Sequence, residues 1–273
     1  MRLTLSLTLL ATLHSTCRSK RGDDAGSDAQ VAARPVSQAV TLNDNETDGW
    51  KIVGTLTTGA SNQTGAVLLV HQLGSNRGEW APLVQRLQSG VAVTTLAIDL
   101  RGHGASVRRG ASSEDQTWES FGTDRERWES TTHDVTAAVR YLRAGGATDV
   151  VIVGSSIGAS AAIQAAAETQ AAAVVMLSPG LGYHGFETRP AMQQYARSGR
   201  PVLLLAGDQD EPAAEAVPVL ASMGGTGVVY EVFGASREHG VSLCNAAPAR
   251  WDRIEAWAHG VMRVPLYGAE VVG

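Results

Sequence analysis

Short apolar runs alternate with stretches of helical apolar spacing through most of this chain. Ala66 to Val70, Val91 to Leu100, Asp149 to Val153, Ala172 to Leu177, Pro201 to Leu205 and Gly227 to Phe233 read as strands, after an earlier one at Ile52 to Leu56. Several are almost unbroken apolar runs, the pattern of strands buried on both faces. Between them, Trp80, Leu83, Val84 and Leu87 recur at helical spacing, as do Val135, Val139 and Leu142. The Ala-rich stretch Ala159 to Glu168 and the segments Ala213 to Met223 and Ala249 to His259 read as further helices. Strands and helices in this order predict an α/β architecture, a mostly parallel central sheet with helices on both faces. No internal repeat interrupts it.

Composition agrees with such a core. Hydrophobic residues make up 44% of the chain, which excludes disorder for most of it. Charged residues make up 18%, below the roughly 25% of an average domain, as expected where apolar strands are covered on both sides. A net charge of -5 argues against nucleic acid as a partner, since phosphate binding needs a concentrated basic face. No apolar run reaches the roughly 20 residues needed to span a bilayer.

The N-terminus has a different character. Met1 to Thr16 reads as an export signal: Arg2 supplies a positive n-region and Leu3 to Leu13 a short apolar h-region. Cys17 follows at once, where a lipoprotein signal would place its acylated cysteine, although His14 stands where Leu is usual. Residues 17–35 are polar and rich in Ala, Gly, Ser and Asp, as expected of a flexible tether. The chain is therefore expected to be a periplasmic or cell-surface lipoprotein held on a membrane through Cys17, or otherwise a soluble secreted protein. The second cysteine, Cys244, then has no partner, so no disulfide framework is expected.

Sheets of this kind carry their chemistry at the carboxyl ends of strands. One such end is Gly154-Ser155-Ser156-Ile157-Gly158, a G-x-S-x-G pentapeptide between a strand and an Ala-rich helix. A tight strand-to-helix turn holds its central residue exposed, and flanking glycines let neighbouring backbone approach. Ser156 is thus the candidate nucleophile. A serine hydroxyl needs a general base. His14 lies in the signal, His133 and His259 read as helix-surface residues, and His71 and His103 precede the serine. His184 follows the next strand and could line a pocket. His239, in a loop after the last strand and before Gly240, is the candidate base, because the acid and then the histidine follow the serine in chain order. The acid is expected after the strand Pro201 to Leu205, where Gly207-Asp208-Gln209-Asp210 offers two carboxylates that spacing does not separate.

Together with Val70-His71-Gln72-Leu73-Gly74 and Asp99-Leu100-Arg101-Gly102-His103-Gly104-Ala105-Ser106, these motifs resemble the α/β-hydrolase superfamily. The resemblance runs from about Ile52 to His259 and is nearest to the lidless serine hydrolases of the dienelactone hydrolase and small-esterase group. It implies an α/β-hydrolase fold over 36–273 without a large cap domain. It selects Asp210, the last residue of G-x-x-D, as the acid. The oxyanion hole is then expected at the backbone N–H groups of Ile157, after the nucleophile, and of Leu73, by analogy with the family's His-Gly-x loop. Gln72 departs from that loop's usual glycine and brings a side-chain amide near the site. Gln72, Tyr183 and His184 are candidate pocket residues. The Asp99 to Gly104 turn is expected to be structural. Trp118 and Trp128 are expected to pack in the core rather than roof a pocket.

The activity implied is cleavage of a small-molecule carboxylic ester through an acyl-enzyme, with no metal or organic cofactor. The competing readings are a non-catalytic surface-displayed binding protein on the same fold, and a serine peptidase or thioesterase. A serine in place of the cysteine of true dienelactone hydrolases argues against that substrate. Oligomeric state is not legible.

Overall fold

The computed structural model describes residues 35–42, 44–59, 64–89 and 93–262. The expected export signal, Cys17 and residues 17–34 of the expected tether lie outside them. So do residues 91–92 of the strand expected from Val91.

Eight strands form one sheet. In chain order they are β1 (Val36–Thr41), β2 (Val53–Thr58), β3 (Gly65–Val70), β4 (Thr94–Ile98), β5 (Asp149–Ser155) and β6 (Ala173–Leu177). A two-strand hairpin, β7 (Gly182–Tyr183) and β8 (Phe186–Glu187), stands apart from the sheet, to which β9 (Val202–Gly207) and β10 (Val228–Phe233) return. The spatial order is β1-β2-β4-β3-β5-β6-β9-β10. All neighbours from β4 to β10 run parallel, and β2 is antiparallel to both β1 and β4.

Alternate residues of the central strands feed two separate cores, as the two-residue repeat of a strand requires. On one face Leu68, Val70, Ile152, Val174 and Leu204 pack against α3 (Thr131–Ala144), α4 (Ile157–Thr169), α5 (Arg189–Ala196) and α6 (Ala213–Ser222). On the other, Val67, Leu69, Val151, Val153, Leu203 and Leu205 pack against α1 (Ala81–Ser89), α7 (Val241–Ala246) and α8 (Ala249–Met262). β3, β5, β6 and β9 are buried on both faces, which explains their unbroken apolar runs. Each fully buried leucine there contributes about 1.5–3 kcal/mol through area removed from water. The short α2 (Arg125–Glu129) precedes α3, with the Asp124 side chain accepting from the Glu126 and Arg127 amides at its start. Among the described residues no element forms a cap domain, and no helix is long and apolar enough to cross a membrane.

His259 corrects one expectation. It is 1% exposed rather than a surface residue. Trp251, Glu255 and His259 follow one another at four-residue spacing on α8, and Ile254, Ala258 and Met262 flank them in the same core, so this position turns inward. His133, by contrast, is half exposed and bonds Asp48. Trp128 is buried in the core, as expected. Cys244 is buried and free, and burial pushes its thiol up to about 12.

Candidate active site

Ser156 sits between β5 and α4 at φ +55° and ψ −119°. A side chain rarely adopts this conformation, and here the surroundings impose it. The Ser156 amide donates to the Leu177 carbonyl on β6 at 2.9 Å. A Cβ on Gly154 would lie 2.4 Å from the Gly158 carbonyl oxygen, and one on Gly158 would lie 2.4 Å from that of His71. Both glycines are therefore needed for the chain to turn this sharply against the end of β3. The Ser156 hydroxyl stands at the N-terminus of α4, where the helix dipole favours negative charge.

The structure brings Ser156, His239 and Asp210 into one hydrogen-bonded chain. His239 Nε2 lies 2.8 Å from Ser156 Oγ, and His239 Nδ1 lies 2.7 Å from Asp210 Oδ1. Asp210 is 4% exposed, whereas the His239 side chain is 38% exposed, so the chain runs from a buried carboxylate to an open imidazole. Asp208 has a separate task. Its two oxygens accept from the Ala235 and Ser236 amides at 3.0 and 2.9 Å, stitching the turn after β9 to the loop that carries His239. Those amides hold its carboxyl below the usual range.

Among the described residues, neither the Leu73 nor the Ile157 backbone N–H donates to a protein acceptor. Ile157 opens α4, whose first amides have no partner within the helix. Leu73 belongs to the loop after β3, and Gln72 beside it is anchored on every side. The Gln72 amide donates to Glu79 Oε1 at 3.1 Å. Its carbonyl accepts from His71 Nδ1 at 2.7 Å and from the Ser75 amide at 3.2 Å. Its side-chain Oε1 accepts from the Ser155 hydroxyl at 3.1 Å. Gly240 leaves the room for that amide, since a Cβ there would fall 2.0 Å from it. The Gly240 amide in turn donates to Ser178 Oγ at 2.7 Å. Gln72 thus replaces the usual glycine by holding the loop to the serine turn.

The sequence offers Ser155 only as the non-central serine of the elbow, and Glu79 and Ser178 carry no role in it. Glu79 had one weak signal, an acidic residue just before the apolar face that begins at Trp80. Burial pushes its carboxyl up to about 7, against hydrogen bonds from Ser75 and Gln72.

Tyr183 lies beside the triad on the β7–β8 hairpin and donates to the Ser178 carbonyl at 3.2 Å. Burial raises its phenol above the usual range, opposed by a hydrogen bond with Ser156 and assisted by the Asp210 charge. His184 is exposed and stacks on Trp128 at a centroid distance of 4.6 Å. Trp118 stacks on His103 at 5.7 Å and borders Gly74, the residue after Leu73. A cavity of about 770 Å³ is lined by Asp48, Arg101 and His133 and not by the triad residues. Ser156 itself is 6% exposed. Among the described residues, no group of three or more His, Cys, Asp or Glu is arranged to hold a metal.

A family model described as the alpha/beta hydrolase family matches residues 67–269. No curated protein matches the sequence. Among solved structures, the chain is similar to an esterase from Pyrococcus furiosus, with a TM-score of 0.65 at 18% identity over 84% of this chain and 92% of that one. It is also similar to a dienelactone hydrolase from Anabaena variabilis, with a TM-score of 0.61 at 22% identity over 85% and 99%. A serine hydrolase without lid from Xanthomonas campestris gives 0.58 at 15% identity over 86% and 97%. At these identities the likeness is one of fold.

Proposed function

The chain belongs to the alpha/beta hydrolase family, and on that premise we propose that it is a serine hydrolase cleaving carboxylic esters through Ser156, His239 and Asp210. The observation that supports this most is the unbroken pair of hydrogen bonds, 2.8 and 2.7 Å, from the Ser156 hydroxyl through the imidazole to the Asp210 carboxylate. In this reading Ser156 Oγ attacks the ester carbonyl carbon while its proton passes to His239 Nε2. Asp210 fixes the tautomer with hydrogen on Nδ1 and stabilises the imidazolium. The carbonyl oxygen becomes an oxyanion held by the Leu73 and Ile157 N–H groups, each worth about 2.7–4 kcal/mol in the transition state. His239 returns its proton to the departing alcohol. Water then attacks the acyl-enzyme with His239 again as base, releasing the acid and restoring Ser156.

With no cap domain among the described residues, the site suits accessible acyl groups better than long chains that need a tunnel. Thioesters and amides would use the same machinery, so substrate has to be measured. A fluorophosphonate probe tests the nucleophile. Labelling of the wild type that is lost in Ser156→Ala is expected. Its absence from the wild type, or its survival in the variant, would overturn the reading and favour a binding protein on this fold. A panel of p-nitrophenyl esters of increasing chain length beside thioesters and aminoacyl anilides is expected to show hydrolysis of the short esters. Preferential anilide cleavage would make the protein a peptidase.

The N-terminus supports export: a signal over 1–16, acylation of Cys17 and a tether over 17–35 would hold the hydrolase at a membrane surface. Several acyl chains anchor stably where one does not. Mass analysis of the mature N-terminus is expected to show a cleaved, acylated Cys17, and a free Cys17 thiol would overturn the anchor.

A further inference from the structure

The loop that carries Leu73 has no regular backbone pairing. β3 ends at Val70, and the next element is the 3-10 turn Arg77–Trp80. The direction of the Leu73 N–H must therefore be set by individual contacts. A trans peptide is planar, with its C=O and N–H pointing in opposite directions. The Gln72 carbonyl and the Leu73 N–H belong to the same peptide. Bonds from His71 Nδ1 and the Ser75 amide fix that carbonyl on one side, and the Leu73 N–H is thereby turned the other way. Those bonds fix the plane but leave the chain free to swing about the preceding peptide. The Gln72 amide is what remains, and its partner is Glu79 Oε1 at 3.1 Å.

We propose that Glu79 is a positioning residue for the oxyanion loop: by accepting the Gln72 amide it locks the Gln72–Leu73 peptide so that the Leu73 N–H is directed at the carbonyl oxygen attacked by Ser156. This rests on the serine-hydrolase reading above. Several further observations carry it. Gln72 is reached from both sides of the site, by Glu79 from the turn before α1 and by Ser155 from the elbow itself, so the loop is clamped to the nucleophile's own turn. Asn76 Oδ1 accepts from the Gly78 amide and Asp99 accepts from the Arg77 amide, so the short turn bearing Glu79 is itself held rigid. Glu79 is also a half-buried carboxylate whose ionisation is opposed by its surroundings. Such a group is retained at a cost to stability, and this is common at functional sites. The charged neighbours on its turn and strand, Arg77 and Asp99, are paired with each other, and His71 behind the loop is held neutral by burial. His239, next to the Gly240 that abuts the Gln72 side chain, stands in the site with Asp210 and Tyr183 as its other titratable groups.

The test compares Glu79→Met, which keeps the bulk and removes the oxygen acceptor, with Glu79→Gln, which keeps an acceptor and removes the charge. In each variant kcat and KM are measured on the ester the wild type hydrolyses. The inhibition constant of a trifluoromethyl ketone is measured beside them, because its hemiketal oxyanion occupies the same hole. Glu79→Met is expected to lower kcat about 100-fold with KM within about twofold, and to weaken the ketone in proportion. Glu79→Gln is expected to stay within about fivefold of wild type on both readouts. A Met variant with unchanged kcat, or one whose ketone affinity does not follow kcat, overturns the proposal. A Gln variant as impaired as the Met variant also overturns it. If Glu79→Met does not fold, hydrogen exchange on the wild type decides: a Gln72 amide exchanging as fast as an unprotected loop amide overturns the assignment, and a protected one supports it. A Ser156→Ala control separates the two levels. Hydrolysis surviving in Ser156→Ala defeats the serine-hydrolase reading itself, whereas hydrolysis lost there but intact in Glu79→Met defeats only the role of Glu79.

Discussion

A Cβ on Gly158 would lie 2.4 Å from the carbonyl oxygen of His71 and 2.5 Å from that of Val70. The first turn of α4 therefore rests directly on the end of β3, with no side chain between them. Ile157, next to Gly158, and Leu73, two residues after His71, are the two proposed oxyanion donors. Gly158→Ala cannot be accommodated without moving the helix start away from the strand, because both obstructing atoms are backbone. The expected outcome is a fall in kcat/KM of about 100-fold or more, from misplacing at least one donor. Steady-state kinetics beside a thermal melt checks it. A variant that melts like wild type and hydrolyses like wild type would show that the close approach does not matter to catalysis.

The two aspartates after β9 are expected to behave differently. Asp210→Asn keeps the shape beside His239 but presents the wrong partner to Nδ1–H, and kcat should fall about 10³- to 10⁴-fold. Asp208→Asn removes an acceptor from the Ala235–Ser236 turn and leaves the His239–Asp210 bond in place, so kcat should stay within about tenfold of wild type. Single-turnover kinetics on both variants checks this. An Asp208 variant as inactive as the Asp210 variant would contradict the assignment.

This pair also marks where sequence legibility ends. The strands and helices were readable because β3, β5, β6 and β9 are buried on both faces and announce themselves as apolar runs. Ser156 and its glycines were readable because the elbow is a local device. Asp208 and Asp210 were not separable, because what distinguishes them is contact with residues 27 to 29 positions further on. Gln72 was noticed only as a departure, since its link to Ser155 spans 83 residues. β1 gave little signal because it is an edge strand, mostly exposed. β7 and β8, with two residues each, are too short for periodicity to register. The inward turn of His259 was present in the four-residue spacing from Trp251, and its polarity concealed it.

Arg101 illustrates a motif that resembles a site and serves the scaffold. Its guanidinium is 3% exposed in its side chain and bonds Asp134, Asp48, Ser130 and the Thr47 carbonyl, tying the turn after β4 to α3. Burial raises the Asp134 carboxyl, and Arg101 opposes that rise. Arg101→Met would leave Asp134 buried and uncompensated, a loss of about 3–5 kcal/mol. Urea denaturation should show that loss, and pairing it with Asp134→Leu should recover much of it. The folded double variant should keep kcat/KM within about threefold of wild type. Inactivity in a stable double variant would reassign the turn to catalysis.

His71 makes stability depend on pH. Its ring is fully buried, with Nδ1–H donating to the Gln72 carbonyl at 2.7 Å and Nε2 accepting the Leu100 amide at 2.9 Å. Both contacts fit only the neutral imidazole with hydrogen on Nδ1. Burial lowers its pKa to about 3, the neighbouring His103 adds to this, and the Gln72 carbonyl opposes it. An unfolded histidine titrates near 6.5, so between pH 6.5 and about 3 the unfolded chain binds the extra proton. Stability from this group is therefore fully present above pH 6.5 and is lost progressively as pH falls towards 3. By pH 4 the loss is on the order of 3 kcal/mol, a large fraction of the 5–15 kcal/mol typical of a domain. Urea midpoints at pH 7 and pH 4 check this in wild type and in His71→Asn, which lacks the titration. The wild type should lose more stability than the variant between the two pH values. Equal losses would mean that His71 is not the group whose titration carries the pH dependence.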